Sequence, residues 1–254
     1  MKKPLELCQE LDFLLEPGKF HDSSINGVQV EAPGDQETTL IATPVDAGES
    51  VIEAAISHGA QLLIVHHGLF WGKEHPVTGA LSRKLALLLK NGCTLYTSHL
   101  PLDAHLIYGN NALLAKHFGV TEVKPFGEYR GAKIGIHGKF SSSVTINDIK
   151  LKAESLIGSS NNLILPFGPN VIGEVAIISG SGTDWLREAA LSGIDTFITG
   201  EPKQSAYHEA KELGVNLICA GHYATETLGV RALGDELSKR HNIKHHFINE
   251  PTGI

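Results

Sequence analysis

The chain has 254 residues, and its 21 Lys and Arg against 28 Asp and Glu give a formal net charge of −7 at pH 7. This length allows one large domain or two smaller ones, each big enough for a hydrophobic core. The acidic balance argues against a general nucleic-acid or anionic-membrane binder, and three cysteines without a CxxC pair argue against a disulfide scaffold or a zinc knuckle.

The N-terminal segment is predicted to form a short amphipathic helix that ends before Pro17 and Gly18. Its apolar positions share one stripe: Leu5, Cys8, Leu11 and Leu15. Acidic residues interrupt any signal-peptide core, and the apolar runs are far shorter than the roughly 20 residues of a membrane span. We therefore expect a cytoplasmic protein.

Short apolar runs then alternate with helical segments. Strands are expected at Leu40–Val45, Gln61–Val65, Thr94–Thr97, Ile134–His137, Val175–Ser179, Thr196–Thr199 and Leu217–Cys219. Helices are expected at Glu49–Ser57, Gly79–Lys90, Asn111–His117, Asp148–Ile157, Asp184–Leu191, Ser205–Leu213 and Thr225–Lys239. This alternation is typical of an α/β protein with mainly parallel sheets, whose sites lie after the carboxyl ends of the strands. Thr121–Gly131 is predicted to connect two halves, and residues 158–170 to form a loop.

An internal repeat supports this division. The segment from Glu53 to His67 resembles that from Glu188 to Gly200, and the strands before His99 and His222 also align. The alternative is that any two βα units look alike. The repeat predicts two similar α/β/α halves, residues 1–125 and 126–254, with a shared cleft and with the option that the C-terminal segment packs back on the first half.

Histidine is the unusual component, with 14 in the chain, and it is the commonest metal ligand in proteins. His66 and His67 directly follow a buried strand. Neighbouring strand side chains point to opposite faces, but Gly68 lets the chain turn, so each imidazole could hold a different ion of a metal pair. The alternative is a surface turn that contains two histidines.

His222 and Glu226 are four residues apart where a helix is expected to begin, so their side chains should share one face. That is metal-ligand spacing. The alternative is a first-turn glutamate, favoured by the helix dipole, beside an unrelated histidine.

His99 and Asp103 follow another strand, and Pro101 predicts a loop there because it disfavours helix at Leu100. Asp103 is a candidate carboxylate ligand, whereas His99 could be a ligand, a proton shuttle or a residue that orients a ligand. The other histidines are interpreted as structural, including His245 and His246, which lack a carboxylate nearby in sequence.

Together, three imidazoles and two carboxylates form a mixed N/O donor set: His66, His67, Asp103, His222 and Glu226. Such a set suits Zn, Mn, Fe, Co or Ni better than Ca or a thiolate site. Five donors exceed what one open ion needs, so we expect two divalent ions, with Glu226 able to bridge them. The net positive charge that remains would attract a small anionic substrate and activate a water.

Several motifs resemble the GTP cyclohydrolase I type 2 homologue family, also called the Nif-three-like proteins. They are Asp22–Val30, Val45-Asp-Ala, Ile64-Val-His-His-Gly-Leu-Phe-Trp71, His99-Leu-Pro-Leu-Asp103, Gly109-Asn-Asn111, Ile198-Thr-Gly-Glu201, Gly221-His-Tyr-Ala-Thr-Glu226 and Pro251-Thr-Gly-Ile254. The resemblance implies a two-domain α/β subunit without the inserted domain of longer members, a ring-shaped homohexamer, and a dinuclear site at the five donors just named with Glu226 bridging.

The resulting hypothesis is a dinuclear metal-dependent hydrolase of a nucleotide, GTP being one candidate, or of another small phosphate-bearing substrate. His99 and Glu201 are assigned the catalytic roles, since ring opening needs an activated water and a proton donor. Candidate phosphate contacts are Lys73, Arg83, Lys203 and the backbone of Gly180-Ser181-Gly182. Alternatives are a non-catalytic metal-binding scaffold or regulatory protein, and a peptidase-like or phosphodiesterase activity. No nucleic-acid or membrane partner is expected.

Overall fold

A computed structural model describes residues 2–73, 75–159 and 162–254. Contacts divide the chain into two compact units. The first runs to Leu102 and includes Gly229–Glu250, and the second comprises Asp103–Leu228 and Pro251–Ile254. The domain boundary after residue 125 stays a prediction. Among the described residues, no helix has both the length and the apolar character that crossing a membrane requires.

The secondary structure of the described residues alternates between strands and helices. In chain order the elements are α1 (Pro4–Leu15), β1 (Gly27–Val30), β2 (Leu40–Thr43), α2 (Glu49–Ser57), β3 (Leu62–Val65), α3 (Gly79–Lys90), β4 (Thr94–Thr97), α4 (Leu100–Ala104), α5 (Asn110–Phe118), β5 (Val120–Tyr129), β6 (Ala132–Phe140), α6 (Ile146–Ile157), β7 (Leu163–Leu165), β8 (Glu174–Ile178), α7 (Leu186–Leu191), β9 (Thr196–Thr199), α8 (Ala206–Leu213), β10 (Asn216–Cys219), α9 (His222–His241) and β11 (Lys244–Phe247).

The first unit is built on a sheet with the strand order β1-β4-β3-β2-β11. Only β1 runs antiparallel to its neighbour, and the other pairings are parallel. All four residues of β3 and of β4 are buried, as expected for strands covered on both faces. On α2, the buried side chains Val51, Ile52 and Ala55 form one apolar stripe in the core with Leu63 and Leu95.

The second unit is built on a sheet with the order β5-β6-β8-β9-β10-β7. Its centre, β8-β9-β10, is parallel, and the flanking pairings are antiparallel. Both units thus contain a β-α-β-α-β segment with three adjacent parallel strands: β2 to β4 in one and β8 to β10 in the other. The predicted α/β class is confirmed, and the matching segments agree with an internal duplication.

Three local expectations are wrong. Thr121–Gly131 is mostly the edge strand β5, whose irregular register at Thr121–Lys124 and polar outer face obscured the strand pattern. Residues 158–170, of which 160 and 161 lie outside the described residues, contain the edge strand β7, paired antiparallel with β10. Leu100–Ala104 is a short helix, because proline is tolerated in the first turn, where its missing N–H has no partner to lose.

All three cysteines are buried free thiols: Cys8, Cys93 and Cys219. Burial raises the pKa of Cys93 to about 12. Burial, followed by the negative charge of Glu201, raises the pKa of Cys219 to about 12 as well.

Candidate metal centre

In the first unit, three histidines gather at the carboxyl ends of two adjacent strands. β3 and β4 pair in parallel with Val65 opposite Thr97, so His66 and His67 after one strand lie beside His99 after the other. The ring centroids are 4.7 Å apart for His66 and His67, 5.0 Å for His66 and His99, and 5.6 Å for His67 and His99. One ligand atom from each ring lies within 4.8 Å of the others, so the three imidazoles could hold a metal ion.

The backbone after β3 explains how two adjacent imidazoles reach one place. The N–H groups of His66 and His67 both donate to the Val45 carbonyl at 2.9 Å, so strand alternation ends there. The chain then turns at Gly68, where a Cβ atom would collide with the side chains of Thr97 and Gln29. The Gln29 side-chain carbonyl accepts from the next backbone N–H at 2.6 Å and fixes the turn.

Each of the three imidazoles is held at its Nδ1 atom by an acceptor. The acceptors are the Ser98 carbonyl, 2.9 Å from His66, the Asp46 carboxylate, 2.8 Å from His67, and the Asp22 carboxylate, 3.0 Å from His99. A neutral imidazole that donates from Nδ1 carries its lone pair on Nε2. Metal-binding histidines in proteins are oriented in this way. The donor set therefore fits a divalent metal ion.

Asp22 is the most strongly fixed of these acceptors. Burial alone would raise the pKa of its carboxyl, but the hydrogen bond and charge of His99, the Asn26 amide and the Ser24 N–H lower that pKa to about 2. The backbone N–H of Leu100 also donates to it at 3.0 Å. The carboxylate is thus ionised at neutral pH and fixes the direction of the His99 ring.

In the second unit, His222 and Glu226 lie in the first turns of α9, and their Nε2 and Oε1 atoms are 3.2 Å apart. The predicted shared face is therefore observed. The Nδ1 atom of His222 lies 3.0 Å from an oxygen of Glu201, which repeats the arrangement of the first unit. Burial would lower the pKa of His222, but hydrogen bonds and charge from Glu226 and Glu201 raise it to about 9.

The turn at Gly180 closes directly on this pair. Gly180 has a φ of +61°, and a Cβ atom there would collide with Oε1 of Glu226 and lie 3.1 Å from Nε2 of His222. Its carbonyl accepts from the Glu201 N–H at 3.0 Å. The N–H groups of Gly180 and Gly182 donate to the hydroxyls of Thr225 and Thr199. The expectation that these two N–H groups cradle an anion is therefore wrong.

Asp103, on α4, is 7% exposed and held by a polar network within the second unit. Its Oδ1 atom accepts from the amide of Asn110 at 2.8 Å and from the hydroxyl of Ser179 at 2.9 Å. The Asn111 amide donates to the backbone carbonyl of Asp103 at 3.2 Å. The direction of the carboxylate is thus set by residues from α5 and from the end of β8.

Sequence reasoning missed the residues that orient the candidate ligands. Two of the cations that it selected as phosphate contacts already bind carboxylates. Arg83 binds the Glu49 carboxylate through two nitrogens at 2.6 and 2.8 Å, and Lys203 binds Asp184 at 2.5 Å. His245 was expected to lack a carboxylate, but Asp235 lies 2.8 Å from its Nδ1 atom. Asp235 sits on the preceding helix, so spacing along the strand could not reveal it.

Comparison with known proteins identifies the family of this chain. The family model described as Duf34/NIF3 (NGG1p interacting factor 3) matches residues 3–253. The chain belongs to the Duf34/NIF3 family. The resemblance derived from the motifs is therefore confirmed.

Relatives in this family share most of their length with the chain. A protein of Halobacterium salinarum named GTP cyclohydrolase 1 type 2 homolog is 42% identical over 237 residues, which is 92% of this chain and 93% of the relative. A protein of the same name from Deinococcus radiodurans is 39% identical, over 98% and 94%. The protein TTHA1606 from Thermus thermophilus, known from a crystal structure, is 39% identical with a TM-score of 0.90, and 98% of each chain is covered.

The Asp46 carboxylate offers a test of how the imidazoles are held. We expect Asp46→Ala to weaken binding of Mn²⁺ or Zn²⁺ by about 10- to 100-fold, the usual effect of removing a group that orients a ligand histidine. The reason is that His67 loses the acceptor at its Nδ1 atom. Calorimetric titration of the metal-free protein measures the change.

Asp235→Ala is the matched control, because Asp235 holds His245 at the same 2.8 Å distance outside the candidate ligands. Metal affinity should stay at the wild-type value in this variant. Equal losses in both variants would contradict a specific role for Asp46.

Proposed function

We propose that this Duf34/NIF3 protein is a metal-dependent hydrolase that acts on a nucleotide, with GTP as the first candidate, or on another small phosphate-bearing substrate. Five residues would hold two divalent ions: His66, His67, Asp103, His222 and Glu226. Zn, Mn, Fe, Co and Ni all suit this mixture of imidazoles and carboxylates. The substrate class comes from the name of the relatives and from the positive charge that such a centre would retain.

One observation carries the proposal. Four imidazoles, in two units, each have an acceptor at Nδ1, which makes Nε2 the candidate ligand atom: His66, His67, His99 and His222. His245, outside the candidate ligands, is held at Nδ1 in the same way, so the clustering of His66, His67 and His99 is what favours a metal site. The buried carboxylate of Asp103, oriented by two donors, supplies the harder ligand type.

When bound, such a pair of ions polarises the substrate and lowers the pKa of a water. The catalytic roles of His99 and Glu201 stay a prediction. The local contacts indicate what each residue would do. The ionised Asp22 beside Nδ1 would stabilise a proton gained at Nε2 of His99. Glu201, at 3.0 Å from Nδ1 of His222, would orient that ring and stabilise a positive charge on it.

The experiment is metal analysis of protein purified without added metal, followed by a turnover screen with GTP and other nucleotides. We expect near two ions per chain and a metal-dependent release of formate or phosphate. Bound metal without turnover across the screen would favour the non-catalytic scaffold or regulatory protein. Absence of bound metal after loading with each of the five metals would overturn both.

We further propose that the chain works in the cytoplasm as a ring-shaped homohexamer, as the resemblance to its family implies. Light scattering coupled to size-exclusion chromatography should then give a mass near six times 27.3 kDa. A monomeric or dimeric mass at micromolar concentration would contradict the assembly without affecting the metal proposal.

A further inference from the structure

A cavity of about 360 Å³ lies in the first unit at the turn that follows His67. It is lined by Gly68, Leu69, His75, Pro76, Leu81 and Lys84, and we call it the Lys84 cavity. Gly68 directly follows His67, so the cavity begins one residue from a candidate metal ligand. Its volume lies at the lower end of the roughly 300–1,000 Å³ that is usual for small-molecule sites.

The polar side chains of the Lys84 cavity are both able to carry positive charge. Lys84 lies on α3 and is partly buried, and His75 lies in the preceding loop. Within the described residues, no carboxylate lies within ion-pair distance of Lys84, although Glu49, which binds the neighbouring Arg83 through two nitrogens, has a pKa lowered by Arg83 and to a smaller extent by the charge of Lys84. A lysine with a mobile ammonium group is a common partner of phosphate.

The charge and the apolar walls of the Lys84 cavity both favour an anionic ligand. The chain carries a net charge of −7, whereas the two ionisable side chains that line this cavity, Lys84 and His75, are basic. Leu69, Pro76 and Leu81 form apolar walls beside Lys84, and an apolar surface strengthens the attraction between an ammonium group and an anion. Because the cavity is open to solvent, salt should weaken that attraction.

From these contacts we infer that the Lys84 cavity is a binding site for the phosphate groups of a small-molecule substrate, with the Lys84 ammonium as the main contact and His75 as a second donor. The inference rests on the proposed function in one respect, since the phosphate-bearing molecule is taken to be the substrate of the adjacent metal centre. Lys84 therefore replaces Arg83 and Lys203 as the cation expected to recognise phosphate.

The test uses the full-length, metal-free protein and measures binding rather than turnover. Calorimetric titrations compare GTP, inorganic tripolyphosphate and guanosine on the wild type and on Lys84→Met. We expect Lys84→Met to weaken GTP and tripolyphosphate about 10-fold, because one charge-assisted contact is lost, and to leave guanosine unchanged. Lys84→Gln should reproduce the loss, since it also removes the charge.

Lys90→Met is the matched control, because Lys90 lies on the same helix but does not line the cavity. Three outcomes would overturn the inference. The wild type binds neither tripolyphosphate nor GTP at millimolar concentration, Lys84→Met binds both as tightly as the wild type, or Lys90→Met loses as much affinity as Lys84→Met. Binding of GTP alone assigns the cavity to an organic phosphate, and equal binding of tripolyphosphate assigns it to the phosphates themselves. Because no metal is present, these results stand apart from the turnover screen.

Discussion

Replacing His222 with alanine is expected to lower the metal affinity of the protein by at least about 100-fold. Loss of a group that only orients a ligand costs up to about 100-fold, and loss of a ligand itself should cost no less. The variant loses the imidazole that lies 3.2 Å from Oε1 of Glu226 and 3.0 Å from Glu201. Metal content after loading with Mn²⁺ and dialysis, measured by mass spectrometry, is the direct readout. Any metal-dependent turnover should fall with it.

His208→Ala serves as the control for this prediction. His208 lies on α8 in the same unit, is exposed, and belongs to no candidate metal site among the described residues. Its replacement should leave metal content unchanged. A His222→Ala protein that retains wild-type metal content would remove His222 from the ligand set and weaken the whole assignment.

Gly180→Ala is expected to combine a loss of stability with a loss of metal binding. The left-handed φ of +61° costs an alanine about 1 kcal/mol in the free energy of unfolding. In addition, the new methyl group would collide with the Glu226 carboxylate and crowd the His222 ring, so both side chains must move. Thermal denaturation and metal titration of the same preparation measure the two effects.

Gly193→Ala separates those effects. Gly193 also has a left-handed φ, of +78°, but a Cβ atom there meets nothing within 4 Å. Both variants should therefore lose a similar amount of stability from backbone strain, and only Gly180→Ala should lose metal binding. If Gly193→Ala lost metal affinity to the same degree, the effect would come from stability and not from the local collision.

The fold class and the local geometry at the start of α9 could be predicted from sequence because they depend on local patterns. The buried strand β3 is a continuous apolar run, and a spacing of four residues on a helix places His222 and Glu226 on one face. Edge strands gave a weaker signal. β5 and β7 contain exposed polar or isolated apolar positions, so their patterns matched loops.

The residues that hold the ligands were harder to predict, since they are distant in sequence and chemically ordinary. Asp46 follows β2, which pairs with the strand before His67, so the rule that side chains cluster after strand ends could have identified it. Asp22 lies in a loop before β1 and pairs with His99, 77 residues away. No periodic pattern marks a single aspartate in such a position.

The burial of the three cysteines determines how the metal chemistry can be studied. With pKa values of about 12, the thiols of Cys93 and Cys219 are almost entirely protonated at neutral pH, and burial also raises the pKa of Cys8. Thiolates are the reactive and metal-binding form of cysteine, so these side chains should neither capture soft ions nor react readily with oxidants or alkylating reagents. Metal loading, spectroscopy with Co²⁺ and work in air should therefore report on nitrogen and oxygen ligands alone.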